Sequence, residues 1–430
     1  MEGSTLAKLS QERSALSNRV AQVRPERSPE STSRAPAATR GRRKAGDLVT
    51  APDHADDAVN GERAESAPAE SDLAGRRTDA ARPVVAVTGA ASGLGLALTA
   101  RLAQSPLVGR VVAIDHNRGD VSGVTWRIAD VRDPALAGRL SDVDVVVHTD
   151  VDFSPDSDAR VRRAFNVRGA QTVLTAAAAG GVGHVILVTS AMVYGARADN
   201  SVPLPEDAPL SADSDDSVVS DLLEIEHLAE RSPRAHLGLQ VSVARPAALV
   251  GDGIDTLVTR HFEAPRLLAV KGCAARWQFC HIDDLVSALE LAVDGKVTGA
   301  FAVGSDGWLE QDELEEIAGL RRIELPAGLT FATAQRLHRA GITPAPVADL
   351  RYVVYPWVVD CKALREAGWQ PHYDNSTALE VLLAQRAGHH AVAGRRLGKK
   401  DATITAAGAT VAVIGTAAVV RQVRRRRRGT

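Results

Sequence analysis

The chain has 430 residues, and its 53 acidic and 51 basic side chains give a formal net charge of −2. This length allows two or three domains and a sizeable core, and the balanced charge gives no general reason to expect a nucleic-acid partner. The three cysteines, Cys273, Cys280 and Cys361, lack any metal-binding spacing, so no metal site is predicted.

Residues 1–82 are predicted to be a disordered tail. From residue 25 to residue 82 the sequence has only four Leu or Val residues and no Phe, Tyr, Trp or Ile. Such a segment cannot bury enough apolar surface to offset the entropy lost on ordering. A short helix near Leu6–Val23 is the exception that we expect. No signal peptide is visible, because the first twenty residues lack an uninterrupted apolar stretch.

The first predicted element pair surrounds a glycine-rich turn. An apolar run from Val84 stops at Thr88 and is followed by Gly89, Gly93 and Gly95 before a helical pattern begins. This order predicts a strand, a tight turn and a helix whose N-terminus directs free N–H groups at a ligand, and a pyrophosphate fits best. The predicted cofactor contacts in this turn are Gly89, Ser92, Gly93, Leu94 and Gly95.

An acidic residue after the next strand indicates which dinucleotide binds. A second apolar run, Val111–Ile114, ends in Asp115, twenty residues after Gly95. A carboxylate there can accept hydrogen bonds from the adenosine ribose hydroxyls and would repel a 2′-phosphate. The predicted cofactor is therefore NAD rather than NADP.

Strand-like and helix-like segments then alternate, which predicts an α/β fold with a doubly wound parallel sheet of the Rossmann type. A long helix is expected near Asp156–Ala179. Further strands are expected at Val124–Ile128, Val143–Val147, Val185–Val188 and Leu239–Ala244. In such a sheet the ligand lies over the carboxyl ends of the strands, so the residues that follow each strand should face it.

Nine short motifs follow one another through this region: TGAASGLG (88–95), Asp115, ADVRD (129–133), VDVVVHT (143–149), NVRGAQTVLTAA (166–177), VILVTSAMVYG (185–195), PLPEDAPL (203–210), ARPAALVGDGID (244–255) and HIDDLVSAL (281–289). Over residues 83–385 the chain resembles the extended short-chain dehydrogenases/reductases, the NAD-dependent epimerase/dehydratase family that includes UDP-galactose 4-epimerases. One departure is Ser92, which stands where extended members place the middle glycine.

The resemblance implies roles for individual residues. Asp130 and Val131 would contact the adenine, Asn166 would stabilise the strand and helix near the nicotinamide, and Ser190 would hydrogen-bond the reacting hydroxyl or carbonyl. Arg245 and Pro246 would line the cofactor or substrate cleft, and Thr149 is counted with the cofactor contacts. Two alternatives stay open from the residues alone: Asn166 could pair only backbone groups, and Arg245 could pair only with a nearby acid.

The tyrosine and lysine of the family's chemistry are absent. Members of the family use a Tyr and a Lys four residues apart on one helix face, where the lysine lowers the tyrosine pKa. No YxxxK sequence occurs in this chain. When the helix at 217–230 is aligned on Glu226, Val218 occupies the tyrosine position and Leu222 the lysine position. Shifting the alignment by two gives Asp216 and Ser220 instead.

Two functions therefore remain open. In the first, the chain is an epimerase, dehydratase or oxidoreductase of atypical mechanism, in which Ser190 orients a nucleotide sugar or a similar hydroxyl or carbonyl substrate. The candidates for proton transfer are Asp216, Glu224, Glu226 and His227. In the second, the chain keeps the cofactor site without turnover and acts as an NAD-responsive binding or regulatory protein. We favour the enzyme, because the Ser190 region is intact.

The predicted domains are an NAD-binding Rossmann domain at 83–304 and a smaller C-terminal substrate lobe at 305–390, to which 251–275 contributes. Lobe helices are expected near Gln311–Ala318, Thr333–Ala340 and Val359–Ala367. The segments expected to return to the main sheet are Arg276–Cys280, the helix Leu285–Val293 and Ala300–Val303. The lobe carries Trp308, Trp357 and Trp369, and tryptophans in such a lobe are more often core than ligand platforms.

The final segment, 391–430, differs from the rest of the chain. Ala402–Val420 comprises nineteen uncharged residues with basic residues on both sides. The length suffices to span a bilayer, but Ala, Gly and Thr make insertion marginal. We expect a cytoplasmic protein with peripheral or tail-anchored membrane association through 402–428; the alternatives are packing on a partner helix and a solvated tail. The other predicted partners are a small-molecule substrate and a second copy in a homodimer.

Overall fold

The computed structural model describes residues 82–213, 217–273, 275–339 and 347–386, and two short strands at 391–392 and 395–396. The predicted disordered tail with its helix near Leu6–Val23, the candidate residue Asp216 and the apolar segment 402–420 lie outside the described residues. Among the described helices, none combines the length and the apolarity that a bilayer crossing requires.

The strands, numbered in chain order, are β1 Val84–Thr88, β2 Arg110–Asp115, β3 Thr125–Ile128, β4 Val145–His148, β5 His184–Val188, β6 Gln240–Pro246, β7 Ala248–Val250, β8 Leu267–Val270, β9 Arg276–Trp277, β10 Phe279–His281, β11 Ala300–Val303, β12 Leu309–Glu310, β13 Arg322–Leu325, β14 Ala391–Val392 and β15 Arg395–Arg396. The α-helices are α1 Gly93–Leu102, α2 Leu136–Arg139, α3 Ala159–Gly180, α4 Val218–Ala235, α5 Leu257–His261, α6 Ile282–Val293, α7 Gln311–Ala318, α8 Ala327–Arg339, α9 Lys362–Glu366 and α10 Asn375–Arg386. Two 3₁₀ helices span Ala191–Tyr194 and Val347–Val353.

Seven strands form the main sheet in the order β11-β6-β5-β4-β1-β2-β3, and every pair in it is parallel. Alternate residues of β1 pack on opposite faces: Val85 and Val87 belong to one buried cluster and Ala86 to the other. Helices cover both faces, since α1 and α6 contribute to the first cluster and α3 and α4 to the second. The predicted α/β fold with a doubly wound parallel sheet is confirmed.

The chain beyond β6 forms small two-stranded ladders in place of a second large sheet. β7 pairs with β10, β9 with β12, and β8 with β13. The expectation that Arg276–Cys280 joins the main sheet is therefore wrong, whereas β11 does join it. The side chain of Gln278, between β9 and β10, bonds the backbone of Ser305 and Val359 and so ties this segment to the later chain.

Two predicted helices of this region have different bounds in the structure. α9 is shorter than the predicted Val359–Ala367, because the backbone N–H of Asp360 donates to Leu204 and the chain there is extended. α8 begins six residues earlier than predicted, at Ala327, immediately after Pro326. Pro is well suited to the start of a helix, where its missing N–H needs no partner.

Candidate active site

The glycine turn joins β1 to α1. Gly89 has φ +71°, and a Cβ on Gly95 would lie 2.0 Å from the Gly89 carbonyl oxygen, so position 95 accepts only glycine. The side chain of Ser92, which precedes α1, makes no capping hydrogen bond, so it leaves the first amides of the helix uncovered. Close backbone approach and a positive helix end are what a dinucleotide pyrophosphate requires, so this turn fits NAD.

Asp115, at the end of β2, is held against this turn. Its carboxylate accepts hydrogen bonds from the backbone N–H groups of Ala91 and Asn117, each at 3.0 Å. The residue is 4% exposed and does not line the cavity described below. The His116 Nδ1 also lies 3.0 Å from this carboxylate. A carboxylate has about four lone-pair sites, so these protein contacts leave capacity for a ribose hydroxyl.

The two residues predicted to contact adenine lie outside the cavity. Asp130 forms a paired hydrogen bond with the guanidinium of Arg132, at 2.9 and 2.6 Å, which lowers the pKa of Asp130 to about 2. Val131 is buried and lies against Gly169 of α3. Neither side chain lines the cavity, so their contact with a cofactor stays a prediction.

The segment after β4 enters the cavity directly beside the glycine turn. Thr149 lines the cavity, and its hydroxyl donates to the Thr88 carbonyl at 2.6 Å. Asp150 also lines it, and a Cβ on Gly89 would lie only 3.0 Å from the Asp150 Cα. Burial and the nearby Asp115 carboxylate raise the pKa of Asp150 to about 6. A carboxyl group therefore stands where the cofactor phosphates would approach.

Asn166 of α3 holds the backbone of Asp152, which belongs to the same segment after β4. Its side-chain oxygen accepts the Asp152 N–H at 2.8 Å, and its amide donates to the Asp152 carbonyl at 3.0 Å. Asn166 is fully buried and does not line the cavity, whereas Asp152 does. Asn166 also donates to the Asp221 carboxylate at 3.4 Å, so it pairs mainly, but not only, with backbone groups.

Ser190 follows β5 and caps the 3₁₀ helix Ala191–Tyr194. Its oxygen accepts the Met192 N–H at 3.2 Å, and its hydroxyl lies 3.4 Å from the Pro246 carbonyl, a long hydrogen bond. Both Ser190 and Pro246 line the cavity. The Ser190 hydroxyl can therefore donate a hydrogen bond to an oxygen atom in the cavity.

Arg245 does not line the cavity, because its guanidinium is committed elsewhere. It donates to both carboxylate oxygens of Glu226, at 3.0 and 2.8 Å, and to the Tyr194 hydroxyl at 2.8 Å. Glu226 also accepts the Thr189 hydroxyl at 2.7 Å. These contacts agree with the alternative in which Arg245 pairs with an acid. Because Glu226 is buried in this network, its carboxylate cannot reach a substrate.

The N-terminal part of α4 provides the position of the missing tyrosine. Val218 lines the cavity, whereas Leu222 is fully buried in the core. The side chain of Glu224 pairs with Arg231 at 3.3 Å, and His227 is exposed. Of the proton-transfer candidates within the described residues, Glu224, Glu226 and His227, none lines the cavity.

The cavity itself has a volume of about 300 Å³ and lies over the carboxyl ends of β1, β4, β5 and β6. Besides the predicted residues, its lining includes Arg162, Asp349 and Trp357; Trp308 and Trp369 do not line it. Arg162 lies four residues before Asn166 on α3, a same-face spacing that could have identified it. Asp349 lies in the 3₁₀ helix Val347–Val353, which no motif of the sequence marks. In the described part of the chain no cluster of His, Cys, Asp or Glu suits a metal ion.

Comparison with known proteins identifies the family. The family model described as "NAD dependent epimerase/dehydratase family" matches residues 85–304. An uncharacterized protein of Mycobacterium tuberculosis is 31% identical over 313 residues, which cover 69% of this chain and 82% of that protein.

Solved structures share the fold at low sequence identity. UDP-glucose 4-epimerase of Thermus thermophilus, solved in complex with NAD, has a TM-score of 0.53 and 18% identity, and the match covers 71% of this chain and 99% of that chain. dTDP-glucose 4,6-dehydratase of Bacillus anthracis, also solved with NAD, has a TM-score of 0.53 and 16% identity, over 70% of this chain and 96% of that chain. With the family model and the mycobacterial relative, the resemblance is confirmed: the chain belongs to the NAD-dependent epimerase/dehydratase family, whose cofactor is NAD.

Proposed function

We propose that the chain binds NAD at the glycine turn and interconverts a hydroxyl and a carbonyl group on a small molecule held at Ser190. The observation that carries the proposal is that Ser190, Pro246 and the glycine turn line one cavity. The chemistry that bound NAD supplies is hydride transfer. Nucleotide sugars are the substrates named for the solved neighbours, so they are the first compounds to test.

In this proposal the Ser190 hydroxyl donates a hydrogen bond to the reacting oxygen, and a carboxylate of the cavity lining accepts the hydroxyl proton. Asp349 is the carboxyl group that we favour. Asp349 precedes Tyr352 by three residues in a 3₁₀ helix, and this spacing places both side chains on one face of the helix. The Tyr352 hydroxyl donates to the Met192 carbonyl at 2.8 Å. Met192 lies two residues after Ser190, so these contacts support a position of Asp349 near the serine.

A second candidate function is supported by α4. Val218 and Leu222 occupy the positions of the tyrosine and lysine when α4 is aligned on Glu226, and Asp216 and Ser220 occupy them in the shifted alignment; neither pair can act as the Tyr and Lys do. A chain that binds NAD without turnover would act as an NAD-responsive binding or regulatory protein. Its cofactor site would respond to the ratio of NAD to NADH in place of performing a reaction.

The test is an NAD-reduction screen of the purified full chain over nucleotide sugars and hydroxysteroids, after NAD binding has been measured by titration calorimetry. We expect Ser190→Ala to lower turnover by about two orders of magnitude while NAD affinity stays unchanged, because the hydroxyl acts on the reacting oxygen. Asp349→Asn should have an effect of similar size. NAD binding with no turnover of any compound would favour the second candidate, and absence of NAD binding would contradict both.

A further inference from the structure

We propose that the substrate side of this cavity accepts an uncharged, mainly apolar hydroxy or keto compound in preference to the diphosphate of a nucleotide sugar. The inference rests on the proposed function, since it names the substrate class of the same site. Three independent features of the cavity carry it: the apolar wall, the sign of its charges and the state of its backbone donors.

The wall away from the glycine turn is apolar. Its side chains come from several elements, which are the 3₁₀ helix after β5, the start of α4, β7, α5 and the segment before α9. They are Met192, Val218, Leu249, Leu257, Val258 and Trp357. Burying apolar surface against such a wall stabilises a complex, whereas a phosphate placed there would lose its hydration without compensation.

The charges that line the cavity are mostly negative. Among the described residues the lining contains four carboxyl groups: Asp150 lies beside the glycine turn, Asp255 is paired with Arg260, and Asp152 and Asp349 are the other two. Arg162 is the only cationic side chain in that part of the lining, and its guanidinium already donates to the buried Asp221 carboxylate at 2.9 Å. A substrate diphosphate would therefore meet like charges with no uncommitted cation to offset them.

The other cation near this wall is also committed. Arg260 is 2% exposed and pairs with Asp255 at 2.8 Å and with Asp156 at 2.6 Å. It does not line the cavity. Releasing it to a phosphate would break its two ion pairs with these carboxylates, and an exposed ion pair with the phosphate returns little.

Backbone N–H groups on the substrate side of the cavity also donate to other protein groups. α5 begins after Thr256, and a capping box joins Thr256 and Thr259: each side-chain oxygen accepts the other residue's N–H, at 2.9 and 3.2 Å. The amides at the start of α5 are thus partly consumed by the protein. This contrasts with α1, whose Ser92 leaves the first amides uncovered for the cofactor.

The experiment compares ligands on the full chain, both free of cofactor and saturated with NAD, by isothermal titration calorimetry. The probes are 2-tetralone, an uncharged bicyclic ketone, and UDP-glucose. We expect 2-tetralone to bind and UDP-glucose to show no measurable binding to the NAD-saturated chain. Two variants place a charge on the apolar wall: Leu257→Asp, and Val218→Asp, which suits the first turn of α4 because an acidic residue is favoured there.

Each variant should weaken 2-tetralone binding by about tenfold or more, since burying a carboxylate beside an apolar ligand is unfavourable. The matched control is Leu237→Asp, because Leu237 is 95% exposed and does not line the cavity; the affinity of this variant should equal that of the unmodified chain. Binding of UDP-glucose with no binding of 2-tetralone, or equal weakening by the control, would overturn the inference and leave the NAD site intact. Failure of NAD to bind would instead contradict the proposed function, while the cofactor-free titrations would still decide the ligand class.

Discussion

Asp115 connects the end of β2 to the glycine turn, because its carboxylate accepts the backbone N–H groups of Ala91 and Asn117. We predict that Asp115→Ala weakens NAD binding by about 1–2 kcal/mol, the size of a hydrogen bond to a charged group. Asp115→Asn keeps an oxygen acceptor but removes the negative charge that repels a 2′-phosphate. The ratio of NAD affinity to NADP affinity should therefore fall. Titration calorimetry with both cofactors measures this, and tighter binding of NADP by the unmodified chain would contradict the assignment. Arg118 nearby is the residue that could produce that result.

Asp150 should make stability depend on pH. Its pKa is about 6 in the folded chain and 3.8 as the ordinary value, so the ionised form is disfavoured by folding. The stabilising effect of the protonated carboxyl is complete below pH 3.8 and is lost as pH rises through 6, at a cost of at most about 3 kcal/mol. Asp150→Asn should therefore raise the unfolding free energy at pH 8, with a difference that shrinks toward pH 4.

Urea unfolding of Asp150→Asn at several pH values provides the measurement. Asp120→Asn, at an exposed position, is the matched control for the loss of an aspartate charge. The charged and titratable groups that act electrostatically on the Asp150 carboxyl are Asp115, His116, Asp130 and Arg132. A difference between the variant and the unmodified chain that is equal at pH 8 and pH 4 would contradict the raised pKa.

At the level of elements, α4 is fastened to the sheet by the ion pair of Glu226 with Arg245 on β6 and by the Thr189 hydroxyl after β5. We predict that Glu226→Gln lowers the unfolding free energy by about 3–5 kcal/mol, because it leaves the buried Arg245 charge without its counter-ion. Glu230→Gln on the same helix should change it by less than about 0.5 kcal/mol, since the Glu230 and Arg234 side chains are largely exposed. Urea unfolding of the two variants compares them directly, and equal losses would contradict the argument.

The elements most accurately predicted from sequence are the strands of the main sheet. β1, β2 and β5 are runs of buried aliphatic residues, so periodicity placed them within about one residue. β4 begins two residues later than predicted. Asp144 still belongs to the turn before the strand, where its side chain accepts the Val84 N–H. Arg276–Cys280 was misassigned because its partners, β7 and β12, lie far away in sequence and leave no local signal.

The sequence predicted several residues of the candidate site, but it could not predict the directions in which their side chains point. The motifs located Ser190, Pro246, Thr149 and the glycine turn, all of which line the cavity. They could not tell that Arg245 turns to Glu226, because that pairing depends on two elements meeting in space. Asp349 and Arg162 reach the cavity from positions that no family motif includes.

At the scale of the whole molecule, the described residues place one cavity over the main sheet, and the tail 402–428 lies outside them. We predict that the full chain binds vesicles of anionic lipid at low salt and that a truncation ending at Gly394 does not, because basic residues flank the apolar stretch. Co-sedimentation with such vesicles, with neutral vesicles as control, measures this. Release by high salt would select surface binding over insertion, and a full chain that stays in the supernatant would contradict the prediction.

The homodimer also stays a prediction, which sedimentation velocity would decide.

Arg260 joins the two rims of the cavity, since it pairs with Asp255 after β7 and with Asp156 after β4. Arg386 of α10 holds the segment that carries Asp255, through Glu263 at 2.7 Å and the Ile254 carbonyl. Separating the two segments therefore requires Arg260 to leave at least one of its two carboxylates. Where release of a bound molecule needs that separation, this shared cation would lengthen its residence time in the cavity.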